Sequence, residues 1–515
     1  MEESRTGKSL KNVRMNTICY FVSLLVAFFT RKVLLENLGT EFIGFTGTLG
    51  SLLSFLNVAE LGVSTAVSYV LYKPLHDRDY PKINEIISVL GFLYRRIGIF
   101  IVCAGVIMSI FLLLIFKDTV IDVGVIYFGF YAYLSASAIG YFVNFRMILL
   151  SADQRNYIIT GYFQASISAK VILQMLAAIY TGSFYLYLFF EIIFAIVNAV
   201  ILQQKIGRTY PWLQANIAEG RFLFKNYPEI TKYVKQIFIH KISSFVQFQL
   251  SPFLIYAFVS LPMVAIYSNY TIITQRVQGL FLGIMGSTWS GVGNLISEGD
   301  KGKIFNVYEG LMAANIFMGS LIATCFFILS TPFIRVWLGA EYELSSMIVL
   351  IISIQLFLQM VRGVNDQFIN GFGLFYDIWA PVTESVLYLL FSLVLGSIYG
   401  LPGVLAGPLV STLLIVYGWK PYFLFSRGFN LPVPMYIRVV GKNLFAAFLS
   451  IIISFSIYSH ILQILPVEDS WASWIANAFF FTCILCIVSI MSFGLFSSGF
   501  RVFCKQLYLK KKQHG

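Results

Sequence analysis

The strongest constraint on this chain is the recurrence of apolar runs about 20 residues long, each sufficient to cross a ~30 Å hydrocarbon layer as a helix. A backbone inside lipid must satisfy its own hydrogen bonds, so runs of this kind fold as α-helices. Between charged or Pro/Gly-rich breaks about fourteen can be read, with cores near 15–35, 42–71, 97–116, 123–148, 157–180, 183–203, 241–261, 263–296, 304–334, 345–370, 378–399, 402–425, 437–462 and 472–497. Only 12% of the 515 residues are charged, about half the roughly 25% of a soluble domain. The expected class is an all-α integral membrane protein with about 14 transmembrane helices. The first run holds Arg31 and Lys32 and lacks a small-residue cleavage site, so it reads as a retained signal anchor.

Lysine and arginine then set orientation, because basic connections stay in the cytoplasm. With the N-terminus inside, 29 of the 36 Lys and Arg residues fall in inner segments, while outer loops hold only Lys117 and Arg335. Glu36, Glu41, Asp118, Asp122, Glu341, Glu343, Glu468 and Asp469 face outward in this scheme. Both termini are therefore expected in the cytoplasm. Most of the net charge of +12 is loop charge facing an anionic leaflet, and calls for membrane lipids rather than nucleic acid as partner. The six cysteines lie in or beside spans; "CILC" at 483–486 has no second Cys/His pair, so no metal site is expected. "EGDKGK" at 298–303 lacks phosphate-loop spacing. No cofactor is expected, and transport work would draw on an ion gradient or the membrane potential.

The longest connection, Gln203 to Lys241, divides six spans from eight. Within it "EITKYVKQIFIHK" places Ile230, Tyr233, Val234, Ile237 and Phe238 on one helical face, as in an interfacial amphipathic helix. A faint hydropathy echo between 38–45 and 259–266 suggests two pseudo-symmetric six-helix lobes related by an axis along the membrane normal. The expected organisation is an N-lobe over 1–203, a cytoplasmic linker over 204–240, a C-lobe over 241–425, and spans thirteen and fourteen with a basic tail over 426–515.

Function should be written in charges inside spans, which cost about 2.5–3.5 kcal/mol each to insert and so face protein or trapped water. The cations are Arg31, Lys170, Arg276 and Arg362; the acids are Glu60, Glu191 and Asp366. Glu309 and Glu384 sit near the cytoplasmic ends of their spans, within reach of headgroups. Glu60 shares a helical stripe with Asn57, Ser64 and Ser68, and could pair with Arg31 across a short loop. Gln355, Gln359, Arg362, Asp366 and Asn370 form another stripe, in which Asp366 can pair with Arg362 one turn away. Arg276 and Lys170 have no partner of that kind in their own helices, and a cation facing a cavity suits an anionic ligand. Tyr267, Tyr270 and Trp289 are either packing or a stacking surface for sugar.

The segments "RKVLLENLGTEFIGFTGTLGSLLSFLNVAELGVSTAVSYVLYKPL" (31–75) and "KYVKQIFIHKISSFVQF" (232–248) resemble polysaccharide transporters of the multidrug/oligosaccharidyl-lipid/polysaccharide (MOP) superfamily, specifically Wzx-type O-antigen and capsular repeat-unit flippases. The resemblance implies a V-shaped fold working by alternating access in the bacterial inner membrane. Its implied substrate is an oligosaccharide on undecaprenyl diphosphate, carried from the cytoplasmic to the periplasmic leaflet, with other polysaccharide assembly proteins as partners. On that reading Arg276, Lys170, Arg31 and Arg362 contact the headgroup, and Glu60, Glu191 and Asp366 couple or gate. Two rivals stand beside it. A drug/cation antiporter of the same superfamily would favour an acidic interior and usually twelve spans. A membrane polymerase or ligase would present a substantial outer loop, whereas the largest here, between Leu462 and Ala472, is about ten residues.

Overall fold

The computed structural model describes residues 5–505 except 61–62, 154, 235–242, 244–245, 247–248, 287–288, 375–376, 378 and 465–468. It is helical throughout, with no strand among the described residues. Eleven of the described helices are long and apolar enough to cross a membrane. The number is below fourteen for local reasons. The first run and part of the second join in α1 (Arg5–Leu56), which is two helices meeting at Gly39 with φ 79° and ψ 163°, a conformation that favours glycine. The remainder of the second run continues through a tight 3₁₀ turn, Asn57–Glu60, into the 15-residue α2 (Val63–Asp77). The seventh and eighth runs include residues outside the described set.

The chain forms two compact units, Met1–Ala265 and Ile266–Gly515. The first holds α1, α2, α3 (Tyr80–Ser109), α4 (Val123–Val143), α5 (Tyr157–Thr181), α6 (Phe184–Thr209), the short α7 (Ile217–Leu223) and α8 (Ser251–Phe258). Its core is aromatic: Phe42 stacks on Phe184 at 4.3 Å and meets Tyr187 edge-on at 5.3 Å, with Phe45, Leu49 and Phe130 fully buried. Between helices in lipid it is close packing, rather than water exclusion, that holds such a core.

At one end of this unit Asp122 caps α4 through Gly124 N (2.8 Å) and Glu41 accepts from Thr119 Oγ1 (3.3 Å). At the other, Asp79 caps α3 through Lys82 N (3.1 Å) and Tyr80 packs on Trp212. Acidic connections thus gather at the first end and basic ones at the second, the segregation that sets topology.

Residues 204–240, expected as a linker, belong in their described part to the first unit. Asn216 N donates to Ser88 Oγ (2.9 Å), Gln214 N to Asn84 Oδ1 (2.7 Å) and Tyr227 Oη to Glu85 Oε2 (2.8 Å), tying the segment to α3. The division between units therefore falls later, inside α9 (Leu261–Gly286). The expected amphipathic helix lies partly outside the described residues; within them Ile230 is buried and Tyr233 meets Tyr69 edge-on at 4.9 Å.

The second unit continues with α10 (Trp289–Glu298), α11 (Lys301–Trp337), α12 (Ser346–Gly371), α13 (Trp379–Tyr399), α14 (Leu401–Leu414), α15 (Pro434–Ile464) and α16 (Trp471–Phe496). Tyr308, Phe368, Phe425 and Phe429 pack ring against ring at its centre, and Tyr308 Oη donates to Asn365 Oδ1 (2.9 Å). α13 and α14 form a tight hairpin: a Cβ on Gly403 would collide with the backbone carbonyl of Leu395, so only glycine admits the approach. Beyond α14 the chain runs through wide π-type turns, Ile415–Trp419 and Leu424–Phe429, on either side of the helical segment Lys420–Phe423. α16 lies along α11, where Trp474 Nε1 donates to Leu329 O (3.1 Å) and Phe333 and Trp471 extend an aromatic girdle.

Candidate functional site

Each unit carries its own set of buried polar side chains. In the first, the 3₁₀ turn that interrupts the second run presents Glu60 to α3. Its Oε1 accepts from Tyr94 Oη (2.6 Å) and from Ser64 Oγ, and Ser64 Oγ is itself 2.6 Å from Tyr94 Oη. Asn57, on the same stripe, accepts from Ser137 Oγ of α4 (2.8 Å). The stripe thus faces helices rather than lipid, and the partners of Glu60 are hydroxyls rather than Arg31. Arg31 Nη2 donates to Ala265 O (2.9 Å), and its guanidinium lies within electrostatic reach of Tyr187.

Lys170 is not left without a counter-ion. Its Nζ donates to Glu191 Oε2 (2.8 Å) and Oε1 (3.0 Å) across the α5–α6 hairpin, and Gln174 Nε2 completes the site on Glu191 Oε1 (2.9 Å) and Tyr187 O (3.1 Å). Two residues expected to serve different ends, one for the headgroup and one for coupling, form a single unit of charge.

A further cation stands at the end of the run 123–148: Arg146, which the charge count assigns to an inner segment. Arg146 follows α4 in a 3₁₀ turn, Asn144–Arg146; it is half-buried, and its Nε is buried without a hydrogen-bond partner. Its contact among the described residues is the face of Phe145, 5.6 Å from the guanidinium carbon. The available signal was an arginine beside an asparagine at the end of a span with no acid within a helical turn.

In the second unit Arg362 lies 3.6 Å from Asp366 Oδ2, as the one-turn spacing anticipates, but the group is larger. Arg362 Nη1 is also 3.5 Å from Glu384 Oε1 of α13, and Lys420 Nζ is 2.5 Å from Asp366 Oδ1. The four charges sum to zero. Two expectations change here. Glu384, placed near headgroups by its position along the run, is 1% exposed and turned inward to Arg362. Lys420, counted with a cytoplasmic loop, is 13% exposed because the π-type turns carry the helix on past α14. Gln355 uses the stripe for packing, donating to Leu405 O (2.5 Å).

Arg276 is half-buried on α9 and also engages a neighbour. Tyr270 is fully buried, its hydroxyl accepting from Leu344 N (3.0 Å), and Tyr267 is buried beside it. Both are packing residues rather than a stacking surface. The side chain of Trp289 lies outside the described residues.

Outside the spans two more tyrosines satisfy acids: Tyr210 Oη donates to Asp153 Oδ2 (2.9 Å) and Tyr227 Oη to Glu85 Oε2. Burial, reinforced by the adjacent carboxylate, pushes both phenols above their ordinary value.

No family model and no curated protein matches the chain. Among solved structures, the lipid II flippase MurJ in an inward closed conformation matches with a TM-score of 0.60 at 14% identity, over 93% of this chain and 98% of that one. An inward-facing multidrug resistance MATE family transporter of the MOP superfamily matches with a TM-score of 0.57 at 14% identity, over 78% and 94%. The Vibrio cholerae MATE transporter VcmN matches with a TM-score of 0.51 at 15% identity, over 82% and 98%. At these identities the likeness is one of fold: this is a multi-pass membrane chain with the helical architecture shared by that flippase and those transporters.

Proposed function

We propose that the protein is a flippase carrying undecaprenyl-diphosphate-linked oligosaccharide repeat units from the cytoplasmic to the periplasmic leaflet of a bacterial inner membrane by alternating access. The observation that carries this reading is the extent of the likeness to a flippase of a lipid-linked substrate, 93% of the chain against 78% and 82% for the MATE transporters. Half-buried cations supply the chemistry a diphosphate needs: Arg146, Arg276 and Arg31, with Lys170 and Arg362 held by acids that can exchange them. Glu60, with Glu191 and Asp366, couples transport to an ion gradient. Both termini lie in the cytoplasm on this reading, at the end where the basic connections gather.

The test is reconstitution in liposomes with an isoprenoid-diphosphate oligosaccharide, following sugar exposure with a membrane-impermeant probe. Protein-dependent exposure, lost in Arg146→Ala and Arg276→Ala variants that still insert, is expected. No exposure with a matched glycan and an imposed ion gradient would end the flippase reading. The MATE likeness favours drug/cation antiport as the second reading, and efflux of an organic cation from the same liposomes would then decide for it.

A further inference from the structure

The charge tetrad of Arg362, Asp366, Glu384 and Lys420 is closed on itself, whereas Glu309 of α11 faces a recess. Glu309 is half-buried and, among the described residues, accepts no hydrogen bond and forms no ion pair. The exposed Lys442 of α15 lies within its electrostatic reach. The recess, about 10 Å³, is lined by Glu309, Val439, Lys442 and Asn443 and by the turn 497–499 that follows α16, which is room for a group the size of a water molecule or an ammonium. That turn reaches α11 because residue 499 is glycine: a Cβ there would collide with the backbone carbonyl of Glu309. Asn443 is 3% exposed; its Nδ2 donates to Val439 O (2.7 Å), which fixes the amide and leaves Oδ1 buried with no donor. The helix ends that build the recess carry Lys301, Lys303, Arg438 and Arg501, all exposed, the sign of charge found at a cytoplasmic headgroup layer. Next in sequence to the lining residues, Phe445 of α15 and Phe496 of α16 meet edge-on at 5.3 Å and are both exposed.

We propose that the recess binds the primary ammonium of an ethanolamine phospholipid, with the lipid phosphate on Lys442 and an acyl chain along Phe445 and Phe496. A primary ammonium carries three N–H donors, and the recess holds two acceptors short of them, the Glu309 carboxylate and Asn443 Oδ1. Water would supply donors but would leave Glu309 and Lys442 each without a counter-charge. A bare metal cation would neutralise Glu309 and add to the positive charge of Lys442. A zwitterion brings an ammonium for the first and a phosphate for the second, each through charge-assisted hydrogen bonds. A choline headgroup has both charges but no N–H on its nitrogen, and a glycerol headgroup has no cation, so neither satisfies the recess. The inference goes beyond the flippase reading and does not depend on it: it concerns a lipid held at the surface of one unit, not the cargo.

The experiment is native mass spectrometry of the purified full-length protein titrated with phosphatidylethanolamine, its N-methyl and N,N-dimethyl derivatives and phosphatidylcholine, all with the same acyl chains, and with phosphatidylglycerol. Affinity should fall as methyl groups replace N–H, by about tenfold between the ends of the series, as the loss of a charge-assisted hydrogen bond implies. Phosphatidylglycerol should bind as weakly as phosphatidylcholine. Glu309→Gln, which keeps the shape and removes the charge, should lose the preference. Lys442→Met should weaken phosphatidylethanolamine several-fold yet keep it ahead of phosphatidylcholine, because only the phosphate contact goes. Equal binding of phosphatidylethanolamine and phosphatidylcholine by wild type, the result a single water in the recess would give, overturns the proposal, as does a Glu309→Gln protein with the wild-type preference. Should Glu309→Gln fail to fold, the methylation series on wild type decides. No transport is read: a protein that flips lipid-linked sugar but shows no headgroup preference loses this inference and keeps the flippase reading.

Discussion

The two units satisfy their acids differently. In the first, hydroxyls take a large share: Tyr94 and Ser64 on Glu60, Tyr227 on Glu85 and Tyr210 on Asp153, beside the half-buried ion pairs Arg155–Asp153 and Lys170–Glu191. In the second, cations do it: Lys420 and Arg362 on Asp366, Arg362 on Glu384, Arg335 on Glu343. A carboxylate held by hydroxyls can gain or lose a proton without stranding a counter-charge. Protonating an acid of the tetrad leaves a buried cation to be satisfied by something else. The first arrangement can lose one donor at a time, whereas the second changes as a balanced set of charges.

The largest effect is expected where the contrast is sharpest. Lys420→Met should destabilise the second unit by about 1.5–3 kcal/mol, because it leaves the half-buried Asp366 with Arg362 alone at a long 3.6 Å. The double change Lys420→Met with Asp366→Asn should recover most of that loss. Thermal denaturation in detergent reads both, and a Lys420→Met protein that melts with wild type would show that the tetrad does not act as a balanced set.

Lys170 and Glu191 test whether the first unit has an equivalent device. A double-mutant cycle with Lys170→Met and Glu191→Gln should give a coupling of about 1–3 kcal/mol. Glu191→Gln also frees the ammonium, so it should strengthen binding of a diphosphate lipid if Lys170 serves the headgroup. Unchanged binding in Glu191→Gln would confine the pair to structure.

Much of the fold was legible because lipid leaves so few choices. Hydropathy alone marks the runs, and Gly39 and Gly400 mark helix breaks at positive φ. The site was legible only along a helix. Arg362 and Asp366 are four residues apart, so their pairing follows from periodicity. Lys170 and Glu191 are brought together by the register of one hairpin, which sequence spacing does not encode. Glu384 was misplaced because its position in the run gives depth but not direction. Lys420 stands near the end of the run 402–425 and its charge was counted with an inner segment, whereas the π-type turns carry the helix on and Lys420 meets Asp366. Arg146 was hidden by the same habit of assigning charges near span ends to solvent.

A smaller effect is expected at Glu60. Tyr94→Phe removes one of two hydroxyl donors from a part-buried carboxylate and should cost about 1–2 kcal/mol. Thermal denaturation in detergent reads the loss, and a Tyr94→Phe protein that melts with wild type would show that this hydroxyl does not support Glu60.

The smallest effect lies at the seam between α3 and the 204–240 segment. Tyr227→Phe deletes the hydroxyl bonded to Glu85 and should cost about 0.5–1.5 kcal/mol at neutral pH. The sign of its pH dependence follows from the raised phenol: burial and Glu85 hold the folded hydroxyl protonated after the unfolded one has ionised. Stability from Tyr227 is therefore whole below about pH 10, where a free phenol titrates, and falls as the pH climbs above it toward the folded value. The gap between wild type and Tyr227→Phe should close along that alkaline limb. A gap constant with pH would mean that the phenol ionises equally in both states, and that hydroxyl donors in the first unit do not hold their protons as the contrast with the second unit requires.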